Sequence, residues 1–446
     1  MSHSQRRLAV GQLARVEGEG GIDVRIVGGE VHEVRLDIFE PPRFFEGFLR
    51  GRAYTEPPDI TARICGICPV AYQMSAVQAI ESLCGVSLPT PLRALRSALY
   101  CGEWIESHTL HVHLLHAPDF LGYESAIAMA ADHRPEVERG LALKQLGNDL
   151  VEVIGGRAVH PVNVRLGGFY KAPSKAGMRA LGERLRIALD DAEDIVRWVA
   201  SLPMPDHELP DEFALVALRH PVEYPMLGDR VVSTGGPVPA LDIGPDEYEA
   251  HFAEHQAPHS TALHGQMLAG GDYVVGPIAR FALNHDHLSP RARAVAAEVG
   301  AQPGDRNPFR TIVTRSIEVV HACETALDVC AGYEQPEAAA VEVAPRAGVG
   351  CGWSEAPRGL LWHRYELDPE GTILSARIVP PTSQHQPAIE HDLHHLVEEH
   401  LHLDDAELER LCGQAVRNFD PCISCATHAL DIRIDRRSDL RGGEGE

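Results

Sequence analysis

The sequence predicts a mainly helical α+β fold with small peripheral β-sheets. Three observations carry that expectation. Long stretches with apolar residues at helical spacing occupy much of the chain, two β-hairpins stand near its opposite ends, and two Cys-x-x-Cys pairs lie far apart, at Cys65–Cys68 and Cys422–Cys425. A local zinc module places its second pair within about 15–20 residues of the first. Here most of the chain intervenes, so these thiols meet only if the whole fold brings them together.

The first hairpin spans Gly18 to Glu40. Ile22, Val24 and Ile26 alternate with polar residues, Gly28-Gly29 makes the turn, and Val31 to Ile38 returns. Just before it, Arg15-Val16-Glu17-Gly18 sets a glutamate between an apolar residue and a glycine, ordinarily a solvated strand end. The aromatic-rich stretch Phe44 to Arg52 reads as a helical turn on the core, with Glu46 paired to an arginine. Pro69 suits the first turn of a helix over Val70 to Leu83, whose Val70, Met74, Val77 and Ile80 share a face. The first cysteine pair therefore sits at a helix N-terminus, where the dipole favours thiolate over thiol.

A second helical pattern runs from Pro91 to about His116. It carries His108, His111, His113 and His116, whose spacing departs from the i, i+4 pattern of helical metal sites; packing and hydrogen bonding along one face are expected of them. Asp119 follows at its end. Ala142 to Ile154 is helical and stops at Gly155-Gly156, and Arg157 to Pro161 reads as extended because a residue before proline avoids the α region. Lys175 to Leu202 and Phe309 to Tyr333 are amphipathic helices. Between them, Pro203 to Pro308 is broken by prolines and glycines and predicts an insertion of short elements and loops. Gly352 to Gly359 reads as a loop. A second hairpin follows, Leu360 to Leu367 and Ile373 to Val379, turning at Asp368-Pro369-Glu370-Gly371. Pro387 to His402 and Asp404 to Val416 are the last helices, with His391, His394, His395, His400 and His402 as a solvated face.

Composition narrows the function. A formal charge of −24 argues against nucleic acid and against an anionic membrane face. No apolar run approaches the ~20 residues that span a bilayer, and Met1 to Arg7 is not followed by a signal-peptide core; a cytoplasmic location is the expectation. The 10 cysteines are too sparse for a disulfide scaffold. Cys84, Cys101, Cys323, Cys330, Cys351 and Cys412, outside the pairs, read as buried apolar residues.

Four thiolates are soft, electron-rich ligands that select zinc, iron–sulfur or a late transition metal such as nickel. A closed zinc site and a redox metal both fit the chemistry. A dithiol redox pair fits less well, because Cys65-Gly-Ile-Cys68 lacks a short βαβ setting.

Arg63-Ile-Cys65-Gly-Ile-Cys68 and Asp420-Pro-Cys422-Ile-Ser-Cys425-Ala-Thr-His428 resemble the paired motifs of nickel–iron hydrogenase large subunits. Smaller pieces follow in the same order: Arg15-Val-Glu17-Gly18, Phe45-Glu46 with Gly51-Arg52, and Glu355-Ala-Pro357-Arg358-Gly359. The best fit is the cytoplasmic multisubunit branch linked to NAD(P) or sulfur compounds. The resemblance implies a catalytic domain over 1–428 that cleaves H2 heterolytically and reversibly. Cys65 and Cys422 would be terminal nickel ligands, and Cys68 and Cys425 would bridge nickel to an iron carrying carbon monoxide and cyanide. Arg358, beside Pro357, would hydrogen-bond one cyanide, and Thr382 or Ser383 the other. Asp119 and Asp420 would hold Arg358. A terminal thiolate such as Cys422 would take the proton and Glu17 pass it outward. Glu46 and His428 would bind a separate magnesium-type ion.

The resemblance also implies partners. No further cysteine motif offers an iron–sulfur cluster, so electrons leave through an iron–sulfur small subunit, and from there to a flavin/NAD(P) module. Two departures stand out. The family often has histidine four residues after the second cysteine, where this chain has Tyr72, whose phenol would have to substitute. The chain continues from Ala429 to Glu446, an extension that in the family a maturation protease removes. A metal-free quinone-oxidoreductase-like subunit and a zinc-stabilised interaction protein are the alternatives; retention of all four cysteines speaks against the first.

Overall fold

The structure, a computed structural model, describes residues 5–427. The first hairpin forms as read, Gly20–Val27 against Glu30–Ile38 with Gly28 and Gly29 at positive φ. A strand absent from the sequence reading, Gln5–Val10, pairs with Gly20–Val27 and completes a three-stranded antiparallel sheet.

The helix behind the first cysteine pair is Pro69–Cys84, with proline in its first turn and Gly85 closing it in the left-handed region at φ 70°. It is buried on nearly every side, which is why its sequence shows little amphipathic contrast. It lies across the strands Gly348–Ala356 and Gly359–Leu367 of a second three-stranded sheet. Gly350 and Gly352 permit that approach: a Cβ at Gly352 would stand 2.5 Å from the Ala79 nitrogen, and one at Gly350 2.2 Å from the Ala79 carbonyl oxygen. Gly352 to Gly359, expected as a loop, is therefore mostly strand. Gly348–Ala356 pairs residue for residue with Gly359–Leu367, and the turn shrinks to Pro357 and Arg358. Both faces of the strand are buried, so it lacks the in–out alternation that reveals a half-exposed strand.

Thr90–Leu110 packs between Arg134–Gly155 and Thr311–Ala331, and the latter also packs on Lys175–Ala200. After Leu110 the helix widens into a π-helical turn over His111–His116. The four histidines consequently do not share one face. His108 meets Glu318 at 3.0 Å, His111 Nε2 contacts the Arg417 carbonyl at 2.8 Å, and His113 stacks on Trp198 at 5.5 Å. All four are buried and burial lowers the pKa of each, to about 4 for His108 and about 3 for His113.

The insertion holds short elements as expected, but they are ordered. A four-stranded sheet runs Tyr273–Val274, Ala214–Arg219, Arg230–Thr234, Asp242–Ile243. Its apolar side, including Val216 and Leu218, forms a second core cluster with Trp353 and Trp362 of the adjoining sheet. Two boundaries differ from expectation. His160 is not extended: it takes φ 52°, with Nδ1 at 2.6 Å from the Ala62 carbonyl oxygen. The helix read from Pro387 is Pro381–Glu399, beginning six residues earlier than read, with Pro387 inside it. Proline there removes only the bond to the Ser383 carbonyl, and the early start puts Thr382 and Ser383 on the first turn. Asp405–Asn418 begins at Asp404, which forms a capping box with Glu407. Among the described residues, no helix is long and apolar enough to cross a membrane.

Candidate metal centre

The two cysteine pairs meet. Cys65 Sγ lies 3.5 Å from Cys422 Sγ, Cys68 Sγ 3.5 Å from Cys425 Sγ, and Cys422 Sγ 2.8 Å from Cys425 Sγ. All four sulfurs fall within 4.8 Å of one another and are buried. The first pair is shaped by its own backbone: Cys65 Sγ accepts the N–H groups of Ile67 and Cys68 at 3.3 and 3.4 Å. The second pair is held from outside. The Cys422 N–H donates to Thr382 Oγ1 at 2.9 Å, and the Ile423 N–H to the Glu17 carbonyl at 3.0 Å, so the segment around Glu17 runs beside Cys422 as a one-residue β-bridge. Gly18 allows that contact. Its φ is 91°, and a Cβ would meet Ile423 Cβ at 2.6 Å.

Glu17 turns its carboxylate into the same site. Oε2 accepts from the Cys422 thiol at 3.1 Å and from the Ser424 N–H at 3.0 Å. Burial, then the nearby charge of Cys65, raises its pKa against those two hydrogen bonds. The sulfurs themselves are frustrated as thiols. Hydrogen bonding from Cys422 lowers Cys65 well below its ordinary value, whereas burial pushes Cys422 well up and Cys425 up. One thiolate forms readily; several in one buried site need a cation.

Arg358 is buried near Cys65, Cys68 and Cys422. Its Nε donates to the Asp420 carbonyl at 2.8 Å and Nη2 to Asp420 Oδ1 at 3.1 Å, while Nη1 makes only a long contact of 3.4 Å with Ser107 Oγ. Asp420 itself stands at φ 51°, a strained position for a non-glycine. Asp119 does not share in holding Arg358, as the sequence reading expected. It pairs with Arg417 at 2.6 Å and with Arg15 at 2.5 Å, and two guanidinium groups already compensate its buried charge. Ser383 Oγ lies 2.9 Å from Glu254 Oε1 and 3.0 Å from the Pro380 carbonyl oxygen, two acceptors for its one proton. Of the two hydroxyls, Thr382 is the one bonded to the cysteine segment. Glu46 Oε1 accepts the Ile378 N–H at 2.8 Å. His428 and the extension 429–446 lie outside the described residues.

Comparison with known proteins agrees with this geometry. The nickel-dependent hydrogenase family model matches residues 43–145 and 306–428. The sulfhydrogenase 1 subunit alpha of Pyrococcus furiosus is 33% identical over 95% of this chain and 98% of its own length. The chain belongs to the nickel-dependent hydrogenases. It is a hydrogenase large catalytic subunit, an oxidoreductase. The NAD-reducing hydrogenase HoxS subunit beta of Cupriavidus necator is 26% identical over 95% of both chains. Among solved structures, an NAD+-reducing [NiFe]-hydrogenase in its H2-reduced state superposes with a TM-score of 0.85 at 28% identity, covering 95% of this chain and 99% of that one. A Ni-Fe-Se hydrogenase of D. vulgaris Hildenborough shares the fold, with a TM-score of 0.80 at 21% identity.

The donor set of this hydrogenase suits a nickel centre. Four buried sulfurs that resist joint ionisation as thiols offer soft ligands to a late transition metal. Several supporting residues escaped the sequence reading. Arg280 pairs with Glu318 at 2.7 Å and Glu355 at 2.9 Å and donates to the Ala356 and Pro357 carbonyls, both at 2.9 Å. It thereby fixes the turn that carries Arg358. Arg315 reaches Asp420 Oδ2 at 3.2 Å, and Glu103 accepts the Val70 and Ala71 N–H groups at 2.5 and 3.1 Å, capping the Pro69–Cys84 helix. The signal for Arg315 and Glu318 was in plain view: two charges on the inward side of a helix otherwise lined by Ile312, Val313, Ile317 and Val320.

Proposed function

We propose that this hydrogenase large subunit cleaves dihydrogen heterolytically at a nickel–iron centre held by Cys65, Cys68, Cys422 and Cys425. The terminal ligands to nickel would be Cys65 and Cys422, and the bridges to iron Cys68 and Cys425. The observation that carries the reading is the convergence of four sulfurs from two distant segments in one buried site. When bound, the centre supplies Lewis-acid polarisation of H2 and the capacity to accept its two electrons.

The remaining chemistry belongs to side chains. Splitting H2 yields two protons and two electrons, and a proton taken up on Cys422 Sγ has Glu17 Oε2 at 3.1 Å. That hydrogen bond is a path for the transfer, and burial raises the Glu17 carboxyl above its ordinary range, which strengthens it as a proton acceptor. The Ser424 N–H keeps Oε2 on line. Arg358, gripped by Asp420 through two of its nitrogens, presents Nη1 to an anionic acceptor such as a cyanide on iron. Thr382 stands beside Cys422 for the other, in preference to Ser383, and Pro357, next to Arg358 in the turn, would line the centre. Tyr72 is buried next to Cys425, Cys68 and Cys422; its phenol would have to substitute for the imidazole that the resemblance implies.

Electrons leave, in this reading, to an iron–sulfur small subunit and then to a flavin module serving NAD(P), in the cytoplasm. The similarity to NAD-reducing and sulfhydrogenase chains supports that assignment. Glu46 with His428 would hold a magnesium-type ion, 1–428 would be the catalytic domain, and 429–446 would be removed by a maturation protease. Elemental analysis with infrared spectroscopy of protein matured with its partners is the test. Nickel and iron near one each, with carbonyl and cyanide stretches lost in Cys425→Ser, are expected; zinc alone at the four cysteines overturns the reading.

A further inference from the structure

A second cluster of metal-ligating side chains lies on the Pro381–Glu399 helix, on residues the sequence reading treated as a solvated face. His391 and His395 stand one helical turn apart, and their Nε2 atoms are 3.2 Å apart. Glu212, from the segment ahead of strand Ala214–Arg219, brings Oε1 to 3.7 Å from His391 Nε2. All three donor groups lie within 4.8 Å of one another. The other ring nitrogen of His391, Nδ1, is engaged by Asp272 Oδ2 at 3.0 Å.

We propose that Glu212, His391 and His395 form a zinc-class site that clamps the insertion to this helix. Two imidazole nitrogens bound to one tetrahedral zinc at about 2.0–2.1 Å each lie about 3.3 Å apart, which the observed spacing already meets. Helical i and i+4 histidines with a carboxylate from another segment are a recurrent zinc donor set, leaving a fourth position for water. Asp272 supplies the second feature of such sites, a carboxylate on the far nitrogen that fixes the tautomer and turns Nε2, with its lone pair, toward the ion. His391 is about a third exposed, and Glu212 about half, so an ion reaches the donors from solvent. A neighbouring trio, His259, His264 and Glu390, is less suited: Glu390 Oε1 is already spent on the Leu36 N–H and His259 Nε2, both at 2.8 Å.

The site ties the helix whose first turn carries Thr382 to the loops ahead of two strands of the insertion sheet. Its role is therefore mechanical, and independent of the hydrogenase centre. Cobalt(II) titration of the full chain is the test, since cobalt on four thiolates shows a sulfur-to-metal charge-transfer band and cobalt on imidazole and carboxylate does not. Wild type is expected to take up one equivalent with d–d absorption alone besides any thiolate-bound equivalent, and zinc to displace it and raise the melting temperature. His391→Ala with His395→Ala should lose that equivalent and the zinc-induced rise while keeping the thiolate band. Should the double variant fold poorly, Asp272→Asn should weaken zinc binding about ten- to hundredfold. Equal stoichiometry in wild type and double variant, or loss of the equivalent through His259→Ala instead, overturns the proposal.

Discussion

Glu17 shows how much one side chain's surroundings change its meaning. In sequence it reads as a strand end; in the fold its carboxylate touches Cys422 Sγ and its backbone holds Ile423. Glu17→Gln keeps the hydrogen bond from Ser424 but cannot cycle a proton. The expected result is intact metal content with H/D exchange reduced about 10²–10⁴-fold, read by mass spectrometry of the evolved gas; unchanged exchange would remove Glu17 from the path. Arg358 gives a second expectation. Lysine preserves the charge but not the fork that Asp420 grips, so Arg358→Lys should shift the cyanide stretches and lower activity at least tenfold. The cysteines and Arg358 were legible because each belongs to a motif. Asp119 was misassigned because sequence order gives no hint that Arg417 and Arg15 are its partners, and Arg280 was invisible inside a stretch without periodicity.

Among elements, the Pro69–Cys84 helix and the strand Gly348–Ala356 form the joint that positions one cysteine pair against the Arg358 turn. Their backbones touch through Gly350 and Gly352. Gly352→Ala forces a methyl into the Ala79 backbone and should cost about 1–3 kcal/mol, seen as a lowered urea midpoint. Gly304→Ala, with nothing within 4 Å of its added carbon, should stay within about 0.5 kcal/mol of wild type. The helix announced itself through Pro69 and its apolar run. The strand did not, because it is buried on both sides and built partly from glycines. Short, fully enclosed strands surrender the alternation by which sequence reveals them, whereas long amphipathic helices such as Lys175–Ala200 keep theirs.

At the scale of the whole molecule, stability depends on pH through carboxyl groups enclosed by the fold. Burial lifts Glu106 from its ordinary 4.5 to about 7, against the pull of Lys144 at 3.2 Å. Between those values the folded chain holds a proton that the unfolded chain releases, so the stabilisation is complete below about 4.5 and declines as pH rises toward 7. The slope from this group reaches about 1.4 kcal/mol per pH unit. Buried neutral histidines such as His108 and His113 work the other way, adding stability as pH rises toward 6.5, so this group is read by difference. From pH 5 to 7 the urea midpoint of the metal-free wild type should fall relative to that of Glu106→Gln, and parallel curves would assign the dependence elsewhere. Metal acts in the opposite sense. A ligand bound only by the folded form at a thousandfold excess over its dissociation constant adds about 4 kcal/mol, so loaded protein should melt well above Cys425→Ser.

The separation of 357 positions from Cys65 to Cys422 also sets a clock. A ribosome adding about 5–20 residues per second needs roughly 20–70 s to travel from one to the other. For that interval the nascent polypeptide exposes a lone dithiol with half the ligands of its eventual centre. Premature termination anywhere in between leaves a product that no loading apparatus can finish, so the position of the second pair makes translation to near completion a precondition for catalysis.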